Sequence, residues 1–188
     1  VESGFERASK ALGAFMDNRG GGVYVFGRLY PVYVNLSTGK EVGRISATLI
    51  NEPDCLKCSD PRELVEALKN QGVKFGNLIS VDFDSSSGKE LLAQYNVSKV
   101  PTAVFSDDVE AYPGLQEALK GLGLEKNGAS YVLREVLPPY RDLLTGNVSG
   151  YVSFIYLTDA DCAGCYDPGL HRTILARRGV DPVSEVTY

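Results

Sequence analysis

The spacing of apolar and polar positions changes several times along the chain, and each change marks an expected element. Residues 5–16 (FERASKALGAFM) place Phe5, Ala8, Leu12, Phe15 and Met16 on one helical face, and NRGGG closes that expected helix. VYVFGRLYPVYVNL and GRISATLIN are rich in β-branched and aromatic residues and flank STGKEV, which predicts a strand, a turn at Gly39 and a second strand. Asp60–Pro61 has the form of a helix start, an acidic cap followed by a proline whose missing N–H is not needed in the first turn. RELVEALKNQG then puts Leu64, Val65 and Leu68 on one face and ends at Gly72. NLISVDF predicts a strand, and SGKELLAQYN a helix burying Leu91, Leu92 and Tyr95. TAVFSDDVEAYP predicts two strands about an Asp-Asp turn, and GLQEALKGLG a last helix with Leu115, Leu119 and Leu122 inward. Strands alternating with helices predict an α/β domain.

The pattern also recurs. A shift of 107 residues lays residues 29–73 on 136–180 without a gap, and 15 of the 45 aligned positions are identical. They include Pro31/Pro138, Tyr33/Tyr140, Thr38-Gly39/Thr145-Gly146, Gly43/Gly150 and Asp60-Pro61/Asp167-Pro168. A period this long belongs to tandem domains rather than to a solenoid of small units. The expected organisation has three parts. Residues 1–28 are a helix and strand, either the tail of a preceding repeat or an N-terminal extension. Residues 29–123 are a complete domain, and 124–188 a connector with the first half of a second. On this reading the chain, which starts at Val1 rather than Met, is cut from a longer array, and further repeats of the same chain are expected.

Each copy carries a C-x-x-C pair: Cys55 and Cys58 in NEPDCLKCSDPRE, Cys162 and Cys165 in TDADCAGCYDPGL. The spacing suits an exchanging dithiol, a pair of metal ligands or a permanent local staple. A four-cysteine zinc site needs two such pairs to converge, and these lie at equivalent places in separate expected domains, so no metal or cofactor is expected. His171, the single histidine, aligns with Leu64 on a helix and reads as an ordinary helical residue. With it alone, no Cys-His or Ser-His-Asp arrangement can be built in the first copy. RGGGV lacks the Gly-Lys-Ser/Thr of a phosphate loop, and DFDSSSGKE lacks the ligand spacing and closing glutamate of a calcium loop. Asp82, Asp84 and the SDD at 106–108 read as solvated loop acids.

A second motif narrows the reading. CLKC at a strand-to-helix junction is followed, 46 residues after Cys55, by the Pro101 of YNVSKVPTAVF. Together they resemble the thioredoxin superfamily, whose Tyr-x-Val/Ile-x-x-Val/Ile-Pro-Thr segment carries a cis-proline loop ahead of a sheet strand. Tyr95, Val97, Val100, Pro101 and Thr102 fit that segment. The resemblance covers residues 45–123 in full and 152–188 in part. It implies a thioredoxin-like α/β fold, a central mixed sheet flanked by helices, repeated about every 107 residues. It also implies thiol–disulfide exchange on protein or peptide substrates. Cys55 would be the nucleophile, exposed at a helix N-terminus, and Cys58 the resolving thiol, with Cys162 and Cys165 in those roles in the second copy. Val100 and Pro101 would bind substrate, a cis peptide between them freeing the Val100 backbone to pair with an extended chain.

This chain departs from thioredoxins proper in three respects. Asp54, or Asp161, precedes the first Cys where they carry Trp, and an anion there should raise the thiol pKa. Leu49 and Tyr156 stand six residues before the first Cys, where the family has a buried acid. Asp60–Pro61 starts the helix after the motif, so the helix dipole helps the thiol less. These departures point away from a fast reductase and toward a slower oxidant, an isomerase-like partner or a redox-inert member. The competing reading is a non-catalytic repeat module for spacing or binding, each C-x-x-C closed as a structural disulfide and the Tyr-rich segments serving as contact surfaces.

Composition mainly excludes. The 188 residues, 44% hydrophobic and 23% charged, suit an ordinary globular protein of one large or two small domains. A net charge of −5 argues against a nucleic-acid or anionic-membrane partner. No apolar run approaches the ~18 residues of a membrane-spanning helix. Four cysteines, all in C-x-x-C pairs, do not form a disulfide-dense scaffold, and the count suits redox or metal chemistry better; the compartment is open, leaning extracytoplasmic, periplasmic or secreted. The Asn-x-Ser/Thr sequons at Asn35, Asn96 and Asn147 matter only in a glycosylating pathway.

Overall fold

A computed structural model of the chain describes residues 4, 6–7, 13–27, 30–55, 57–157, 159, 161–162, 164–167, 169–178, 180, 182 and 184–187. The first stretch of elements is β1 (Met16–Gly20), β2 (Val23–Phe26), β3 (Tyr33–Val34), β4 (Glu41–Val42), β5 (Ile45–Asn51), α1 (Pro61–Asn70), β6 (Phe75–Asp82) and α2 (Ser86–Tyr95). There follow β7 (Lys99–Val100), β8 (Thr102–Ser106), α3 (Leu115–Lys120), β9 (Leu124–Asn127), β10 (Ser130–Leu133), β11 (Tyr140–Asp142), β12 (Val148–Ser149), β13 (Ser153–Tyr156), α4 (Gly169–Arg177) and β14 (Ser184–Thr187). The chain is therefore mixed α/β. Its central sheet, ordered β6-β5-β8-β10-β9, is mixed as well: β5 runs parallel to β6 and antiparallel to β8, and β10 runs antiparallel to β8 and β9.

Strand side chains point alternately to the two faces of a sheet, and here both faces are covered. Ile45, Ala47 and Leu49 of β5, Ala103 and Phe105 of β8, and Tyr131 and Leu133 of β10 face one way and pack with Val65 and Leu68 of α1 and Leu115 and Leu119 of α3. Ile50, Val104 and Val132 face the other way, against Leu91, Leu92 and Tyr95 of α2. α1 starts as its sequence predicts: the Asp60 carboxylate accepts from the Arg62 N–H at 2.9 Å with Pro61 in the first turn. α2 ends on Asn96, whose left-handed φ of 50° is tolerated by asparagine better than by most residues.

Three expectations change. The helix over 5–16 rests partly on Phe5, Ala8 and Leu12, which lie outside the described residues. Where the segment is described it ends differently: Gly13–Phe15 is a short 3₁₀ turn, and Met16 begins β1, paired with Phe26 of β2. NRGGG runs from the end of β1 into a hairpin bend at Gly21 and Gly22, and Gly20, Gly21 and Gly22 all take positive φ (84°, 61° and 79°), open to glycine at no steric cost. The first tyrosine-rich run is not one strand. It divides into β2 and β3, and β3 pairs with β4 in a hairpin outside the central sheet.

Beyond Ser106 the chain forms a 3₁₀ turn, Asp107–Ala111, in place of the second strand expected there. Val109 and Tyr112 sink from it into the core, and Asp108 accepts from the Gly43 N–H at 2.8 Å and the Ser106 hydroxyl at 3.1 Å. The edge of β8 is then taken by β10, so residues 124–133, expected in a connector, are the hairpin that extends the sheet. Thr102 secures the junction by donating to the Leu133 carbonyl at 2.6 Å. Glu110, hydrogen-bonded by Lys126 and Tyr131, holds its carboxyl below the ordinary range and ties the turn to the same hairpin.

The Tyr112 hydroxyl donates to the Gly43 carbonyl at 2.7 Å and accepts from the Lys74 N–H at 2.8 Å, which locks the entry to β5 against that of β6. Burial raises its phenol pKa. The neutral form is the one the fold favours, so this contribution is complete below a phenol's ordinary ~10 and fades as pH rises through the raised value. Tyr112→Phe orphans both partners and is expected to cost about 1–3 kcal/mol, read as a lower urea midpoint at unchanged slope.

The second half of the chain echoes the first. β11 and β12 form a hairpin like β3 and β4, and β13 runs parallel to β14 as β5 does to β6. In the two hairpins Asn35 and Asp142 accept equivalent backbone N–H groups, as do Thr38 and Thr145. Gly43 and Gly150 both have φ of 92° and lie against Pro31 and Pro138, where a Cβ would collide.

Candidate functional site

The end of β5 and the start of α1 bracket a loop, residues 52–60, that holds the first C-x-x-C pair. Its turn is made by the Cys55 N–H donating to the Glu52 carbonyl at 3.3 Å and the Cys58 N–H to the Cys55 carbonyl at 3.3 Å. This sets the two Cα atoms 5.4 Å apart, within bonding reach, and the cysteines are joined as a disulfide. Cys162 and Cys165 repeat the arrangement, with the Cys162 N–H on the Asp159 carbonyl at 3.2 Å and a second disulfide.

Beside the first disulfide is an open groove of about 240 Å³, lined among others by Cys55, Cys58, Glu52, Asp82 and Pro101. The Val100–Pro101 peptide is cis. Residues 46 positions apart in sequence thus meet, because β5, which delivers the cysteine loop, pairs directly with β8, which starts just after Pro101. Asp82, read from sequence as a solvated loop acid, lines the same groove at the end of β6.

Two expectations about this site are corrected. Cys55 is not exposed at a helix N-terminus. It is 6% exposed, and α1 begins at Pro61, after the motif, as Asp60–Pro61 predicts, with its first-turn amides aimed at Asp60. Nor is the Val100 backbone free: β7 pairs antiparallel with β11, Val100 opposite Arg141 and Lys99 opposite Asp142, and the Leu143 N–H donates to the Ser98 carbonyl at 2.8 Å. The physical reason is one segment of the chain, residues 140–151, lying across the site.

That segment brings in the residues sequence reasoning missed. The Glu52 side chain is fully buried and receives Arg141 in a two-pronged contact, Nε to one oxygen at 2.8 Å and Nη2 to the other at 3.0 Å. Nη1 of Arg141 donates to the Gly146 carbonyl at 2.8 Å, and the guanidinium lies 5.5 Å from the Phe83 ring. The bonded carboxylate raises the arginine above its ordinary pKa against the opposing pull of burial. The Tyr151 hydroxyl sits 3.6 Å from Cys55 Sγ. A signal for these residues exists in the internal alignment: Arg141 stands where the first copy has Val34, and Tyr151 where it has Arg44.

The second disulfide stands apart from this groove, with Cys162 half-buried and Cys165 exposed. His171 is exposed on α4, its ring 5.3 Å from that of Tyr166. Among the described residues no group of three His, Cys, Asp or Glu side chains could hold a metal, and no helix is long and apolar enough to cross a membrane. Comparison with models of known families, with curated proteins and with solved structures finds no match.

Proposed function

We propose that this protein belongs to the thioredoxin-fold thiol–disulfide exchange proteins, built as tandem units, with Cys55–Cys58 exchanging with protein or peptide thiols. The observation that carries the reading is the meeting of both C-x-x-C sulfurs with a cis-proline in one open groove. The β5–α1–β6–α2–β8 succession, with β5 between β6 and β8 in the sheet, and the echo of the first half in the second support it. In the oxidising direction a substrate thiolate attacks one sulfur of Cys55–Cys58, the other leaves as thiolate, and a second substrate thiol displaces the mixed disulfide. The substrate gains a disulfide, the protein is left as a dithiol, and two electrons pass from substrate to protein. Cys162–Cys165 is assigned the same chemistry. Disulfides of this kind persist in oxidising compartments, which favours a periplasmic or secreted setting.

A second reading has a specific observation behind it: the burial of Cys55 beneath Tyr151 suits a closed staple in a spacer or binding module. The reduction potential of the first pair separates the two. It is measured on the full chain with Cys162→Ser and Cys165→Ser, against glutathione and dithiothreitol buffers. A value between about −120 and −270 mV is expected; one below about −300 mV would assign a structural disulfide.

A further inference from the structure

We propose that the β7 edge and Glu52 together form a binding site for an extended peptide carrying an arginine opposite Val100, and that β11 of the same chain fills this site as an internal competitor. The inference rests on the exchange reading for its purpose: the peptide is the substrate strand presented to Cys55.

Four observations converge. Strand pairing at β7 uses backbone groups and so accepts any extended segment. In this chain β11 is its partner on the free side. Selectivity must come from side chains, and the buried Glu52 carboxylate supplies it. A buried charge is tolerated when paired and hydrogen-bonded, and its partner, Arg141, comes not from the sheet that buries Glu52 but from the incoming strand. The two oxygens are both engaged by one guanidinium, a planar fork that a lysine cannot reproduce. Asp60 and Asp82 in the groove wall add the same sign of charge.

The fourth observation shows that the occupant has a life of its own. The β3–β4 hairpin has the same internal hydrogen bonds and the same Pro–Gly packing as β11–β12, yet is not seated on a cis-proline strand. Leu143 packs against the Val100 cluster, whereas its equivalent, Leu36, is 95% exposed. The hairpin therefore keeps its fold whether docked or not, and β11–β12 can leave β7 without losing its own bonds. When it leaves, Tyr151 leaves Cys55 with it, and the sulfur is uncovered.

The test uses the oxidised full chain and two labelled peptides, PPYRDLLTGNVS (residues 138–149) and the same peptide with alanine for arginine, by fluorescence anisotropy. Arg141→Ala, which frees the site, is expected to bind the arginine peptide about tenfold or more tighter than the alanine peptide. The wild-type chain, its site filled, should bind the arginine peptide at least about tenfold more weakly than the variant does. Equal affinity for the two peptides, no capture by the folded variant, or wild-type binding as tight as the variant's would each overturn the proposal. Should Arg141→Ala lack a cooperative thermal transition, Leu143→Ala, which retains the ion pair and thins the apolar contact, is measured under the same criteria. No thiol takes part in this binding. Its failure leaves the potential of Cys55–Cys58 standing, and a potential outside the exchange range leaves peptide capture standing.

Discussion

Phe105→Ala is expected to lower the unfolding free energy by about 3–5 kcal/mol. Phe105, next to the last residue of β8, is 1% exposed, opposite Ala47 of β5 on one side and Tyr131 of β10 on the other. Small Ala47 leaves the room that Phe105 fills, so removing the ring leaves a void that strands held by ladder hydrogen bonds cannot close. Both the lost burial and the cavity then count against the fold. Urea denaturation gives the number, and Leu36→Ala, on a side chain in open water, should stay within about 0.5 kcal/mol of wild type. Equal midpoints for the two variants would show that the sheet face under α1 and α3 is not the core of this protein.

The Glu52–Arg141 pair should respond unequally to loss of either member. Arg141→Ala strands a carboxylate that no water reaches, and breaking a buried pair in this way costs about 3–5 kcal/mol. Departure of the β11–β12 hairpin hydrates Glu52 and relieves part of that, so about 3 kcal/mol is expected. The loss should be local: hydrogen exchange should accelerate at β7 and β11 while β5 and β8 stay protected. Glu52→Ala is expected to cost less, about 1–2 kcal/mol, because the Arg141 side chain, 21% exposed, can turn outward and keep its charge in water. The double variant should cost less than the sum of the two, since each single change already removes the shared contact. Equal and additive costs would mean that the pair is not coupled.

The local elements were largely legible in the chain. Asp60–Pro61 marks the start of α1 by a mechanism internal to four residues, and Val65 and Leu68 mark its buried face by spacing. β5 and β8 read as strands because β-branched and aromatic residues run through them. Failures came where local preference is nearly balanced and a distant partner decides. Residues 107–111 can turn either way as a peptide; the core site for Val109 and the Gly43 N–H waiting for Asp108 make them a 3₁₀ turn. The NRGGG segment reads equally as a helix end or a hairpin bend until β1 finds β2.

For the site, the sequence by itself determined the chemistry available: two vicinal cysteine pairs, a Val-Pro-Thr segment at a fixed distance from the first, and a repeat of the surroundings of both. The disulfide loop follows from it because three residues of spacing and two backbone hydrogen bonds suffice to close the turn. What only the tertiary structure decided is who stands next to that chemistry. Glu52 looks like a surface acid in INEPDC, and Arg141 like a surface base in PPYRDLL; 89 residues separate them, and no local rule pairs them. They meet because strand pairing at β7 carries β11 across the cysteine loop, and strand pairing is set by a free backbone edge, which side-chain patterns do not encode.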